Sequence, residues 1–266
     1  MTIICDDGST DGTTEYLQQY FPEVILLQGD GNLWWSAGIN KCVEKALALC
    51  NEGDYILTIN NDVVVSENYL EQKIQSAFLH PNSIIGSLCL FKHDPKKIET
   101  SAHIMDWKKA RSYALTRFGE QLSSKHRGIV EVTHVCAKGV LIPCKVFKKI
   151  GLYDAKYFPQ YQSDTDFTLR AHKAGYKILL DYDSRVFSEV NRQNIGIDGS
   201  KITMRSFVST FRGRYSLNNY WVLKNFAEKH FSLRKRRYLA KTYFFIIGGY
   251  LRRLLSQLFF NRSDRV

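Results

Sequence analysis

The sequence predicts an α/β protein: a mostly parallel sheet with flanking helices, followed by a helical C-terminal extension. Three observations carry this. From Thr2 to Leu79 short apolar runs alternate with helix-period segments, the pattern of strands joined by crossover helices. Each of the first three runs ends in a polar, turn-forming cluster. Beyond about Lys201 only helical patterns remain, and the charge changes with them. From Arg205 onward, 14 Lys and Arg stand against Glu228 and Asp264, which accounts for the net charge of +11. Residues 1–200 therefore read as one near-neutral domain and 201–266 as a basic amphipathic tail.

The elements follow in order. Thr2 to Cys5 is a strand, then the turn Asp6-Asp7-Gly8-Ser9 and a helix near Thr13 to Tyr20. Val24 to Leu27 is the second strand, with a helix from about Ser36 to Cys50 after Gly29-Asp30-Gly31-Asn32. Tyr55 to Ile59 is the third, then Asn60-Asn61-Asp62 and a helix from about Ser66 to Leu79. Ile84 to Leu90 is a strand, Lys92 to Arg127 an irregular stretch with a mixed strand pair, and Ile129 to Val135 a strand. Pro143 opens a short helix that Gly151 closes, the usual placement of the two residues. Asp164 to Ala174 is helical, and Lys177 to Leu180 and Arg185 to Phe187 are short strands.

Composition narrows the class. Of 266 residues 44% are hydrophobic, with 17 Gly and 5 Pro, which excludes disordered and fibrous chains. The six cysteines show neither C-x-x-C pairs nor zinc spacing and read as reduced core residues of a cytosolic protein. Asp6 and Asp7 interrupt the only N-terminal apolar stretch, so no signal peptide is expected. Thr242 to Leu251 is about half the ~20 residues of a spanning helix.

In open sheets of this class, ligands bind beyond the carboxyl ends of the strands, where the three polar clusters would converge. Turn and cap preference alone explains any one of them; the combination points to a site. Asn60-Asn61-Asp62 suits a hard divalent cation, Mg²⁺ or Mn²⁺, with Asp62 supplying charge and Asn60 a neutral oxygen or a hydrogen bond to the substrate. The alternative is a turn leading into a Ser66 cap. Both the P-loop and the dinucleotide glycine fingerprint are absent, which argues against NTPases and NAD enzymes. In Ser163-Asp164-Thr165-Asp166 a first-turn carboxylate serves either as a helix cap or as a general base. Residues two apart diverge on a helix, so at most one of the two faces the crevice and the other caps the helix or pairs with Arg170.

These segments together resemble the inverting family-2 glycosyltransferases of the GT-A fold, in their rhamnosyltransferase-like version, over roughly residues 1 to 190. Asp6-Asp7-Gly8-Ser9-Thr10-Asp11 is similar to the family's D-D-G-S-T-D, and Gly31 to Asn40, with Asn32, Trp34, Trp35, Gly38 and Asn40, to its following loop–helix motif. Asn60-Asn61-Asp62 stands at its D-x-D, Gly151 to Asp154 at its G-x-F-D, and Ser163 to Asp166 at its E-D-x-D. The resemblance implies that Asp6 contacts the nucleotide base, Asp62 binds the metal and Asp164 is the catalytic base. It places Asp7, Ser9, Asn32, Trp34, Trp35, Gly38, Asn40, Asn60 and Asp166 on the substrate side. Trp34 and Trp35 stack on a sugar or belong to the core. Three departures stand out: the family's opening strand has no counterpart, Ser163 replaces a glutamate, and Ser188-Glu189 replaces a late histidine.

The implied reaction moves a sugar from a nucleotide-sugar donor to a saccharide acceptor, lipid-linked, in cell-surface polysaccharide synthesis. A degenerate sugar-nucleotide-binding protein and a nucleotidyltransferase are the alternatives. In the tail, Leu239, Tyr243, Ile246, Tyr250 and Leu254 recur at helical spacing, with Arg234, Lys241 and Arg252 on another stripe. This suits an anionic membrane surface, hence a peripheral position on the inner face of the cell membrane. Packing on the catalytic domain is the plainer alternative, and nucleic acid is not the expected partner.

Overall fold

The computed structural model describes residues 1–189, 203–213 and 216–263. It opens with β1 (Ile3–Asp6), α1 (Thr13–Tyr20), β2 (Ile25–Gln28), α2 (Trp34–Leu47), β3 (Tyr55–Thr58), β4 (Val63–Val65), α3 (Tyr69–Leu79) and β5 (Ser83–Phe91). Next come β6 (Ile98–Thr100), β7 (Ala102–Asp106), β8 (Arg111–Ala114), β9 (Ile129–Val132), β10 (His134–Val135) and β11 (Val140–Pro143). Then α4 (Cys144–Ile150), α5 (Ser163–Lys173) and β12 (Lys177–Ser188) lead to α6 (Met204–Arg212), α7 (Tyr220–His230) and α8 (Lys235–Ser263).

The class is α/β, but the pairing corrects the mostly parallel sheet. Seven strands form the central sheet, in the order β3-β11-β5-β12-β4, with β6 on β5 and β9 on β12. Among the described residues only β1–β2 and β5–β12 run parallel. The physical reason is β11, which lies antiparallel between β3 and β5. Its four residues abut the Pro143 helix start, so in the sequence they look like a lead-in. β4 was hidden likewise: Val63–Val65 pairs with the end of β12, and the helix begins at Tyr69 rather than Ser66. The two late strands are one, β12, with a register shift between Asp181 and Arg185. Buried Asp181 spans the irregularity by accepting from the Asp183 and Ser184 amides at 3.0 and 3.3 Å, which replaces bonds the ladder loses.

β1 and β2 form a parallel pair of their own, with β3 at an edge of the larger sheet. The core lies behind β5, every residue of which is buried. Ile84, Leu88 and Leu90 meet Ile142, Phe147 and Phe167 there.

The chain divides into two compact units, Met1–Met105 with Ser112–Val190, and Asp106–Arg111 with Asn191–Val266. The boundary expected near residue 200 lies outside the described residues. In the second unit Thr203 begins α6 with a reciprocal capping box, and the Asn219 side chain caps α7. Aromatic rings join these helices to α8: Phe207 to Tyr250 at 4.2 Å, Phe211 to Tyr243 at 5.9 Å, Phe231 to Tyr238 at 4.6 Å. The periodic stripe that suggested a membrane face thus supplies Tyr243 and Tyr250 to the interior of this unit.

Candidate active site

The first polar cluster is built around two carboxylates with different tasks. Asp6 is buried and turns its own loop: one oxygen accepts the Ser9 amide at 2.9 Å, the other the Thr14 hydroxyl. Those bonds hold its carboxyl below the ordinary range. Asp7 reaches the next loop, where it accepts the amides of Gly31 and Leu33 at 2.9 Å and of Trp34 at 3.1 Å. A side chain one residue beyond β1 therefore satisfies amides at the start of α2 that no local cap reaches. Gly8 and Gly31 have φ of +79° and +83°, and a Cβ on Gly8 would lie 3.2 Å from the Gly31 nitrogen. That close approach of two left-handed turns requires glycine. Asn32 is exposed, its amide on Asp30 at 2.9 Å, and Gly38 has open space where a Cβ would be.

The start of α2 then joins β3 to the segment before α5. The Trp35 indole donates to Asn60 Oδ1 at 3.0 Å and stands edge-on to Tyr153 at 5.3 Å. The Trp35 amide donates to Gln160 Oε1 at 3.2 Å, and the Ser36 amide to the Pro159 carbonyl at 2.9 Å. Asn40 makes a reciprocal pair with the Tyr153 backbone at 2.8 and 3.0 Å. Asn40 is thus committed to the scaffold. Trp34 and Gln162, at the two ends of this seam, have φ of 60° and 70°, conformations unusual for residues with a side chain.

Asp164 is anchored on the loop Cys136–Gly139 between β10 and β11. Asp164 Oδ2 accepts the Ala137 amide at 3.1 Å, and Oδ1 accepts the Thr165 amide at 2.7 Å. Burial pushes its carboxyl above the ordinary value, against those two amides. The next residue, Lys138, donates to both Glu99 oxygens at 2.9 and 3.0 Å and to Ser188 Oγ at 2.7 Å. Burial opposes its charge, yet the negative charges of Glu99 and, more weakly, Asp62 hold its pKa above the usual lysine value. Asp62 is exposed. The loop is fixed from behind, where the Ser87 hydroxyl donates to the Gly139 carbonyl at 2.6 Å.

Asp166 lies apart. It is fully buried, and Oδ2 accepts from Arg170 Nε at 2.8 Å while the other guanidinium nitrogens hold the Ile150 and Leu152 carbonyls at 2.7 Å each. The expected Arg170 pairing is present, and burial leaves Asp166 no access to a dissolved substrate. Glu189 forms an exposed pair with Lys92 at 3.2 Å. Sequence reasoning missed Lys138, Glu99 and Gln160. None belongs to a polar strand-end cluster, and only tertiary proximity sets them apart.

Among the described residues no three His, Cys, Asp or Glu side chains form a metal-holding group. Asn60 presents its carbonyl oxygen to the Trp35 indole, which leaves Asp62 as the carboxylate on offer. One carboxylate completed by phosphate and water oxygens is a usual Mg²⁺ arrangement, so the residues fit a cation that arrives with a phosphate ligand.

The model of one family, Glycosyl transferase family 2, matches residues 2–151. The chain belongs to that family. The matched span covers Asp6 through Lys138 and ends before α5. This family-2 chain is 24% identical over 195 residues to an N-acetylglucosaminyl-diphospho-decaprenol L-rhamnosyltransferase of Mycobacterium tuberculosis, covering 65% of this chain and 61% of the relative. It is 26% identical over 192 residues to the succinoglycan biosynthesis protein ExoA of Rhizobium meliloti, covering 70% and 53%. It therefore spans little more than half the length of these relatives. A crystal structure of GalNAc-T7 with UDP, GalNAc and Mn²⁺ superposes with a TM-score of 0.52 at 12% identity, over 85% of this chain and 44% of that one. The GT-A fold class stands on that likeness and the family match.

Proposed function

We propose that this chain transfers a sugar from a nucleotide-sugar donor to a hydroxyl of a lipid-linked saccharide acceptor, with inversion, in cell-surface polysaccharide synthesis. The observation that supports the reading is the Asp164 carboxylate held on the Ala137 amide, next to a Lys138 that feels the charge of Asp62, in a chain of this family. Asp164 takes the proton of the acceptor hydroxyl as that oxygen bonds to the anomeric carbon. The bond from that carbon to the diphosphate oxygen breaks, and the nucleoside diphosphate leaves. One displacement inverts the centre.

The raised pKa of Asp164 brings the base nearer the working pH, while the Ala137 and Thr165 amides keep it oriented. Asp62 would hold Mg²⁺ or Mn²⁺ together with the donor diphosphate, and such a cation neutralises the leaving group. Asp6, Asp7, Ser9, Asn32 and Trp34 form the donor-side wall, and Trp35 with Asn60 its floor. No helix among the described residues is long and apolar enough to cross a membrane. The acceptor's lipid and the basic tail support a peripheral position on the inner membrane face.

Asp164→Asn tests the reading through nucleoside diphosphate release. The expected loss is about 10³-fold with an unchanged unfolding midpoint, and full turnover would remove Asp164 from the mechanism. In the parent chain the rate should fall on acidification through a pKa above the ordinary carboxylate range, because protonated Asp164 accepts nothing. Undiminished activity in excess chelator would count against a cation at Asp62.

A further inference from the structure

The long helix α8 carries two apolar faces, and among the described residues only one meets the rings of its unit. Tyr243 and Tyr250 turn toward α6 and α7, as described above. Phe244, Ile247, Leu251 and Leu255, spaced at i, i+3, i+7 and i+11, form a second stripe. They are 74%, 42%, 50% and 53% exposed. At 1.5 Å per residue the stripe is about 17 Å long. A groove of about 350 Å³ opens beside its N-terminal end, lined by Arg111, Ala240, Lys241, Phe244 and Phe245. Its wall is almost wholly carbon, and the Arg111 guanidinium lies 5.6 Å from the Phe245 ring centroid. Lys241 Nζ donates to the Lys109 carbonyl at 2.9 Å, which sets its charge at the rim and leaves two N–H groups directed elsewhere.

We propose that this groove and stripe dock on an anionic phospholipid bilayer. Headgroup phosphates sit against Arg111 and Lys241, and Phe244, Ile247, Leu251 and Leu255 enter the acyl boundary. The inference rests on the peripheral reading above and names the surface responsible, which is not the stripe the sequence pattern singles out.

Charge complementarity selects the occupant. From Met204 to Ser263, Glu228 is the one acidic residue in the sequence, and it pairs with Lys235 at 3.7 Å. Arg237, Lys241 and Arg252 follow one another along α8 beside the apolar stripe, the composition of a helix lying in a membrane interface. A second copy of this chain would bring the same cations against these, which disfavours self-association. Single-stranded nucleic acid would meet the cations but leave the aliphatic part of the stripe in water.

The test is sedimentation of the full chain with vesicles of phosphatidylcholine and phosphatidylglycerol (7:3), and with phosphatidylcholine alone. Binding to the anionic vesicles that falls with salt is expected. The double variant Arg111→Gln/Lys241→Gln should partition about 30-fold more weakly, since each cation near such a surface contributes about fivefold. Phe244→Ser/Phe245→Ser should lose at least about tenfold. Should a double variant fail to fold, Phe245→Trp provides an independent measurement: its emission should shift to the blue on anionic vesicles and be quenched by brominated acyl chains. Parent and both double variants binding alike would overturn this surface and leave the peripheral reading standing. No vesicle binding by the parent chain would overturn both. Equal binding to neutral vesicles, or a parent dimer that the Phe double variant dissolves, would also overturn the proposal.

Discussion

Lys73 offers the sharpest test of the physical account of the scaffold. It is fully buried on α3, its Nζ donates to the Ile85 carbonyl at 3.0 Å and lies 5.8 Å from the Tyr69 ring centroid. Burial pushes its pKa down from 10.5 to about 7, against the opposing pull of Asp181. The folded pKa is thus below the unfolded one. Between about pH 7 and 10.5 the unfolded chain binds more protons, so this group makes stability rise with pH through that window and contributes no slope below it. At about 1.36 kcal/mol per unit, the lysine costs on the order of 4 kcal/mol at pH 7 and about 1 kcal/mol at pH 9.5.

Lys73→Met keeps the volume and removes that cost. It also forfeits the Ile85 hydrogen bond, about 1 kcal/mol, and a counter-charge for Asp181. That carboxylate retains the Ser76 hydroxyl at 2.6 Å and the Asp183 and Ser184 amides. The expected outcome is a gain of about 1–3 kcal/mol at pH 7, smaller by about 3 kcal/mol at pH 9.5. Urea unfolding of both proteins at the two pH values reads it directly. A stability difference that does not change between pH 7 and 9.5 would refute the reasoning, as would a loss at pH 7 exceeding about 1 kcal/mol.

Two further substitutions probe the frame of the candidate site. Gly139→Ala puts a Cβ into the Tyr69 hydroxyl and within 2.9 Å of Ser87 Oγ, at a φ of +78°. A loss of about 2–4 kcal/mol in chemical unfolding is expected, with the loop that orients Asp164 disturbed; a loss under about 0.5 kcal/mol would mean the loop yields freely. Arg170→Met removes the guanidinium from the buried Asp166 carboxylate and from the Ile150 and Leu152 carbonyls. It should cost about 3–5 kcal/mol by the same measurement, and a neutral result would deny Asp166 its structural role.

Much of the fold was legible along the chain. The alternation of apolar runs and helical periods located β1 to β3, α1 to α3, β5 and α5 within a few residues, because local propensity and pattern agree there. Strands of three or four residues flush against a helix, β4 and β11, carry too little periodicity of their own to be separated from it. At the site, Asp62 and Asp164 stood out because their chemistry is concentrated in short polar runs. Lys138 and Glu99 did not, because a lysine before a glycine and a glutamate in a short strand gain meaning only when folding brings them to 2.9 Å.

The sequence by itself carried the motifs on which the family resemblance and the family match rest, and its composition and spacing determined the α/β class and the placement of acidic residues at strand ends. Tertiary structure alone decided which carboxylate is buried against Arg170 and which accepts the Ala137 amide, although Asp164 and Asp166 are two residues apart. It also decided which face of α8 is spent on neighbouring rings and which is left in solvent. Desolvation and partner geometry depend on what packs against a side chain from distant parts of the chain, and a helical period shows only that a face is apolar.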